Sequence, residues 1–99
     1  KAGIKCSAID RAVRSIIKKA GYGKYFIHAT GHGIGRNTHE LLRISEKSRG
    51  VLEAGMVITI EPGIYLKKSW GMRIEDMVLV TRRGCKVLTR VPKKLTIKN

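Results

Sequence analysis

Apolar side chains recur at Ile9, Val13, Ile16, Ile17 and Ala20, and this spacing of three and four predicts an amphipathic helix over residues 7–20. Arg11, Arg14, Lys18 and Lys19 fall mainly on the opposite side. Ser7 followed by Asp10 has the pattern of an N-terminal cap, with Asp10 also favoured by the helix dipole in the first turn. Gly21 and Gly23 then stop the helix. Residues 25–30 (Tyr25-Phe26-Ile27-His28-Ala29-Thr30) are aromatic and β-branched and predict a short strand or extended segment. Three glycines in five residues, Gly31-His32-Gly33-Ile34-Gly35, predict irregular backbone that presents His32 on a closely approachable chain. After a polar connection at 45–50 the period becomes two. Residues 56–61 form a strand ending at Pro62-Gly63, continued at 64–66 and followed by a loop at 67–71. Residues 72–81 are the strongest strand, turning at Arg82-Arg83-Gly84 into a return strand at 85–89. The tail from Val91 is basic and peripheral.

Composition narrows the class. A chain of 99 residues is one small domain at most, and 42% hydrophobic content is that of a folded protein. The apolar run Met56-Val57-Ile58-Thr59-Ile60 is too short to cross a bilayer, and no signal-peptide pattern opens the chain. Cys6 and Cys85 lack CxxC spacing and fit a reducing compartment, or an incidental pair, rather than a disulfide scaffold. The chain opens on Lys1 instead of Met, which leads us to expect a piece processed or cut from something longer. The net charge of +14, from 21 Lys+Arg against 7 Asp+Glu, invites a nucleic-acid partner. Against that partner, the cations are scattered along the chain and no recognition motif appears.

Chemistry concentrates in five residues. His28, His32 and His39, all the histidines of the chain, fall within twelve positions around the glycine-rich segment. Glu61 ends one apolar strand and Glu75 interrupts another, where an uncompensated carboxylate would be costly to bury. If those strands are neighbours, the two carboxylates face one side and repel, a conflict that a divalent cation removes. Two plainer readings stay open: Glu61 caps the turn at Pro62, and Glu75 lies on a solvent face beside Arg73 or a lysine. The spacing of seven between His32 and His39 matches neither HExxH nor a zinc finger, and a lone histidine is commonly a hydrogen-bonded structural residue.

Four blocks in order carry a resemblance: Phe26-Ile27-His28-Ala29-Thr30-Gly31-His32-Gly33-Ile34-Gly35, His39-Glu40, Thr59-Ile60-Glu61-Pro62-Gly63-Ile64-Tyr65 and Gly71-Met72-Arg73-Ile74-Glu75-Asp76. Together they resemble the proline-peptide branch of the pita-bread (M24-type) metallopeptidases, the Xaa-Pro dipeptidases (prolidases) and Xaa-Pro aminopeptidases. The resemblance implies an α+β fold, with one N-terminal helix followed by mainly antiparallel strands. Residues 1–99 would be the C-terminal half of the peptidase catalytic domain. It implies His32, Glu61 and Glu75 as metal ligands, with Glu61 also the general base and Glu75 bridging two ions. His28 and His39 would contact the substrate and the developing oxyanion, and Arg73 would orient the site. One imidazole with carboxylates suits Mn²⁺ or Co²⁺, with Zn²⁺ or Fe²⁺ as alternatives.

Two aspartate ligands of the family pattern belong upstream of the opening helix, and neither Asp10 nor Asp76 matches them. This chain is therefore expected to be inactive alone and to need the missing upstream half as a partner. The resemblance implies a proline-containing peptide as substrate, a cytoplasmic enzyme and a homodimer, with no membrane. The competing readings are a non-catalytic binding module on the same scaffold and a basic nucleic-acid-binding domain.

Overall fold

A computed structural model describes residues 1–35 and 42–98. Its single α-helix among them, α1 (Cys6–Lys19), begins within a residue of the expected start. The expected cap is absent. Lys5 occupies the N-cap without a side-chain bond, no acid lies in the first turn, and Asp10 is fully buried on the packing face. The buried positions of α1 are Cys6, Ser7 and Asp10, whereas Ile16 is 71% exposed. At 100° per residue Ile16 lies roughly 120° around from Asp10, so the inward face rotates away from it. At the other end Gly21 takes φ +89°, the left-handed conformation that releases the chain from the helix.

A short 3-10 turn (Gly23–Tyr25) follows, and residues 26–30 run on with bends at 28 and 30, forming no strand. The expected strand over 25–30 thus moves downstream. The glycine-rich stretch itself forms β1 (Gly31–Ile34), followed by β2 (Arg43–Ile44), β3 (Val57–Ile60), β4 (Gly63–Tyr65), β5 (Gly71–Arg73), β6 (Asp76–Val80) and β7 (Cys85–Val87). The glycine pattern fits a strand because Gly31 passes hard against β3: a Cβ there would lie 1.9 Å from the carbonyl oxygen of Thr59. Glycine serves close approach here rather than irregularity.

The strand expected over 72–81 is two strands in two sheets. One sheet has the order β2-β1-β3-β6-β7 and every neighbour is antiparallel, while β4 and β5 pair separately. Residues Ile74 and Glu75 carry the crossing between them, and Ile74 N donates to Pro62 O at 3.3 Å. Register is fixed by Gly33 opposite Ile58 and by Ile60 opposite Asp76. The helix covers the larger sheet over a core of Cys6, Ile44, Leu52, Ile58, Val78 and Val80. Strand β6 alternates as a half-covered strand should, with Val78 and Val80 buried and Met77 exposed.

Candidate functional site

The site sits where β1 and the end of β3 lie side by side. Glu61, the first residue after β3, is anchored by its main chain: its N–H donates to Thr30 O at 2.7 Å. Thr59, two residues earlier and therefore on the same face, is buried. Its hydroxyl accepts from His32 N at 3.0 Å and donates to Glu61 Oε1 at 2.8 Å. That one hydroxyl ties the backbone of the histidine strand to the carboxylate of the neighbouring strand.

His32 Nε2 lies 3.3 Å from Glu61 Oε1, with the side chains 24% and 16% exposed. His32 Nδ1 is 2.8 Å from Gly33 O, and since a carbonyl only accepts, Nδ1 carries the hydrogen. In the neutral ring Nε2 is then the lone-pair nitrogen on the carboxylate side, the orientation a metal-binding imidazole takes when a backbone carbonyl holds its other nitrogen. Arg73 Nε stands 3.9 Å from Glu61 Oε2, so a guanidinium flanks the other carboxylate oxygen. Glu61 thus has His32 beside one carboxylate oxygen and Arg73 beside the other.

Glu75 is placed differently. It lies in the crossing between β5 and β6, exposed, and lines a groove with Met72, Ile74, Val91, Pro92 and Leu95 from the tail. Lys93 Nζ of the tail is 2.9 Å from Asp76 Oδ1. Among the described residues no three His, Cys, Asp or Glu side chains converge. His39 lies outside the described residues.

His28 is half-buried, with both ring nitrogens engaged. Nδ1 donates to Ala29 O at 2.8 Å, and in the neutral ring Nε2 accepts from the Tyr65 hydroxyl at 2.9 Å. Phe26 meets the imidazole edge-on at 5.2 Å and Tyr65 at 5.4 Å between centroids. Sequence reasoning gave Tyr65 no role of its own, although its place four residues after Glu61 on the next strand was readable. It equally missed the pair behind the histidine segment. Arg14 Nε and Nη2 donate to Asp10 Oδ2 and Oδ1 at 2.7 and 3.2 Å, while Nη1 and Nη2 donate to Phe26 O and His28 O at 3.0 and 2.7 Å. Asp10 Oδ1 also accepts from Thr30 N and Oγ1 at 3.2 and 2.7 Å. Burial alone would raise the Asp10 pKa, but the hydrogen bonds from Arg14 and Thr30 and the Arg14 charge outweigh it and hold the carboxyl below its usual range.

One imidazole and one carboxylate converging on a partly open face fit a hard or borderline divalent metal, and a two-ligand set leaves positions for donors from elsewhere. The chain is 53% identical over 95 residues to the Xaa-Pro dipeptidase of Pyrococcus furiosus; that match covers 96% of this chain and 27% of the relative. The solved prolidase from Pyrococcus furiosus superposes with a TM-score of 0.91 at 53% identity, over 94% of this chain and 28% of that one. The X-prolyl aminopeptidase from Caenorhabditis elegans, described as a cytosolic enzyme with a di-nuclear active site, gives 0.75 at 38% identity over 92% and 16%. The chain therefore spans about a quarter of the length of the dipeptidase it matches. The expected α+β architecture, part of a pita-bread fold, is borne out by these superpositions. No helix among the described residues is long and apolar enough to cross a membrane. The sequence model of metallopeptidase family M24 matches residues 1–82, and the chain belongs to that family.

Proposed function

We propose that this chain supplies the histidine and glutamate side of an Xaa-Pro metallopeptidase site, hydrolysing the peptide bond on the N-terminal side of proline in a dipeptide or peptide substrate. The observation that carries the reading is the His32–Glu61 pair, 3.3 Å apart on adjacent strands and cross-linked through Thr59. His32 Nε2 and Glu61 are the residues that would hold a divalent ion. Glu75, next to the Ile60–Asp76 register pair but exposed in this structure, would be the third ligand of the expected set. Two aspartates from outside these 99 residues complete it. Mn²⁺ or Co²⁺ suits the donors best, and the bound ions supply Lewis-acid activation of water and of the scissile carbonyl.

The chain's own residues do the rest. The Glu61 carboxylate, steadied by the Thr59 hydroxyl and flanked by Arg73, takes the proton from the attacking water. His28 and His39 contact the substrate and the oxygen on which negative charge develops, where a well-aimed donor contributes on the order of 10²–10³ in rate. The whole enzyme works in the cytoplasm, in keeping with the cytosolic relative and with two free cysteines, and the family resemblance implies a homodimer.

The test uses the polypeptide carrying these residues together with its upstream portion. With Mn²⁺ it should cleave Ala-Pro and leave Ala-Ala intact, and His32→Ala should abolish both cleavage and calorimetrically measured Mn²⁺ binding. Mn²⁺ binding unchanged by His32→Ala, or equal cleavage of both dipeptides, overturns the proposal.

A further inference from the structure

The pair of half-buried Arg14 and fully buried Asp10 takes no part in the proposed metal site, yet its two side chains make several directed bonds to the segment that carries His28. Arg14 lies on α1 and reaches the main-chain carbonyls of Phe26 and His28, two residues apart. Its guanidinium also lies over the Phe26 ring, 4.3 Å from the centroid. Asp10 continues the series with the amide and hydroxyl of Thr30. Positions 26, 28 and 30 are therefore tied to one helix, and at Thr30 the main chain also reaches the sheet, its N–H donating to Ile44 O at 2.9 Å. With His28 O on Arg14, the imidazole of the same residue meets the Tyr65 hydroxyl, and Thr30 O accepts from Glu61 N.

We infer that Arg14, oriented by Asp10, is a positioning residue that acts through the main chain of His28 to hold that imidazole against Tyr65. This inference rests on the proposed substrate contact of His28. The planar fork is required: one guanidinium donates to two carboxylate oxygens and two carbonyls at once, four bonds that the compact ammonium of lysine cannot make from one point. A misplacement of about 1 Å at a reacting group costs on the order of 100-fold in rate. Arg14→Lys should therefore lower kcat by about 10- to 100-fold through the chain Arg14–His28, with KM little changed.

The experiment is a double-mutant cycle in the polypeptide that hydrolyses Xaa-Pro, with Arg14→Lys, His28→Ala and the combination. If Arg14 works through His28, adding Arg14→Lys to His28→Ala should cost less than about threefold more, whereas an independent structural defect multiplies. The second readout needs no hydrolysis. In long-range ¹H–¹⁵N spectra of the imidazoles, wild type should show His28 as the Nδ1–H form, and Arg14→Lys should shift the His28 ring signals while those of His32 stay in place. Asp10→Asn, isosteric but without the charge that orients Arg14, is the second variant and should likewise shift the His28 ring signals. Multiplicative losses in the cycle, or unmoved His28 signals in a folded variant, overturn the inference. An inactive wild type whose His28 signals still respond refutes the functional reading and leaves the positioning intact.

Discussion

Replacing Gly31 by alanine tests the packing on which the site depends. The added Cβ would meet three atoms of Thr59: the carbonyl oxygen at 1.9 Å, the carbonyl carbon at 2.7 Å and Oγ1 at 2.9 Å. Two of these are backbone, so no rotamer change relieves the contact. Bringing the closest approach from 1.9 Å to even 3.0 Å separates β1 from β3 by about 1.1 Å. Overpacking of this kind costs about 1–3 kcal/mol. The displacement also strains the bonds from His32 N to Thr59 Oγ1 and from Glu61 N to Thr30 O, each contributing about 1 kcal/mol. The sum is about 3–5 kcal/mol, a large part of the roughly 5–15 kcal/mol of a typical domain. Urea denaturation should show a midpoint lowered by about 2 M at a slope of about 2 kcal/mol/M. Gly84→Ala is the control: its nearest neighbour would be Thr81 Oγ1 at 3.9 Å, and it should change stability by less than about 1 kcal/mol. If Gly31→Ala unfolds with the control, the close-packed crossing of β1 and β3 is refuted.

Two further outcomes follow from buried groups. The Asp10 carboxyl is held below its ordinary value in the folded chain, so it contributes stability that is present above the usual carboxylate range near 3.9 and is lost as pH falls through the lowered value. Asp10→Asn should therefore flatten the acid limb of a stability-against-pH curve while lowering the plateau at neutral pH. The two thiols should separate in a timed reaction with a disulfide reagent at pH 7.5: exposed Cys85 is modified at once, while Cys6, buried and with its pKa raised by that burial, reacts only as the chain opens.

Much of the architecture was legible because local periodicity and burial agree. The helix, the strand before Pro62 and the hairpin at Arg82-Arg83-Gly84 all emerge from spacing alone, and His32, Glu61 and Arg73 do meet. The misreadings share a cause, a tertiary contact that overrode a local signal. Asp10 looked like a capping acid because Ser7 precedes it, but its partners are Arg14 and the distant Thr30. Residues 25–30 have β-forming composition, yet the Arg14 fork takes two carbonyls that a ladder would need. The apolar run through 72–81 hides a change of sheet at Ile74 and Glu75, because residues on both sides of the break suit strands equally well. Glu75 consequently lies in a crossing rather than within a strand, a placement that alternation alone does not reveal.

The pairing of Gly33 with Ile58 has a meaning beyond sheet stability. Side chains alternate faces along a strand, so sliding β3 by one residue against β1 would turn Thr59 and Glu61 to the opposite face while His32 stayed in place. A chain closed in that slipped alignment would also turn Ile58, buried in the core, to the opposite face. It would have lost the imidazole–carboxylate pair altogether. Occupancy of the site is thus a check on how the strands were zipped, and a ligand for His32 and Glu61 would draw misaligned chains back toward the correct fold by mass action.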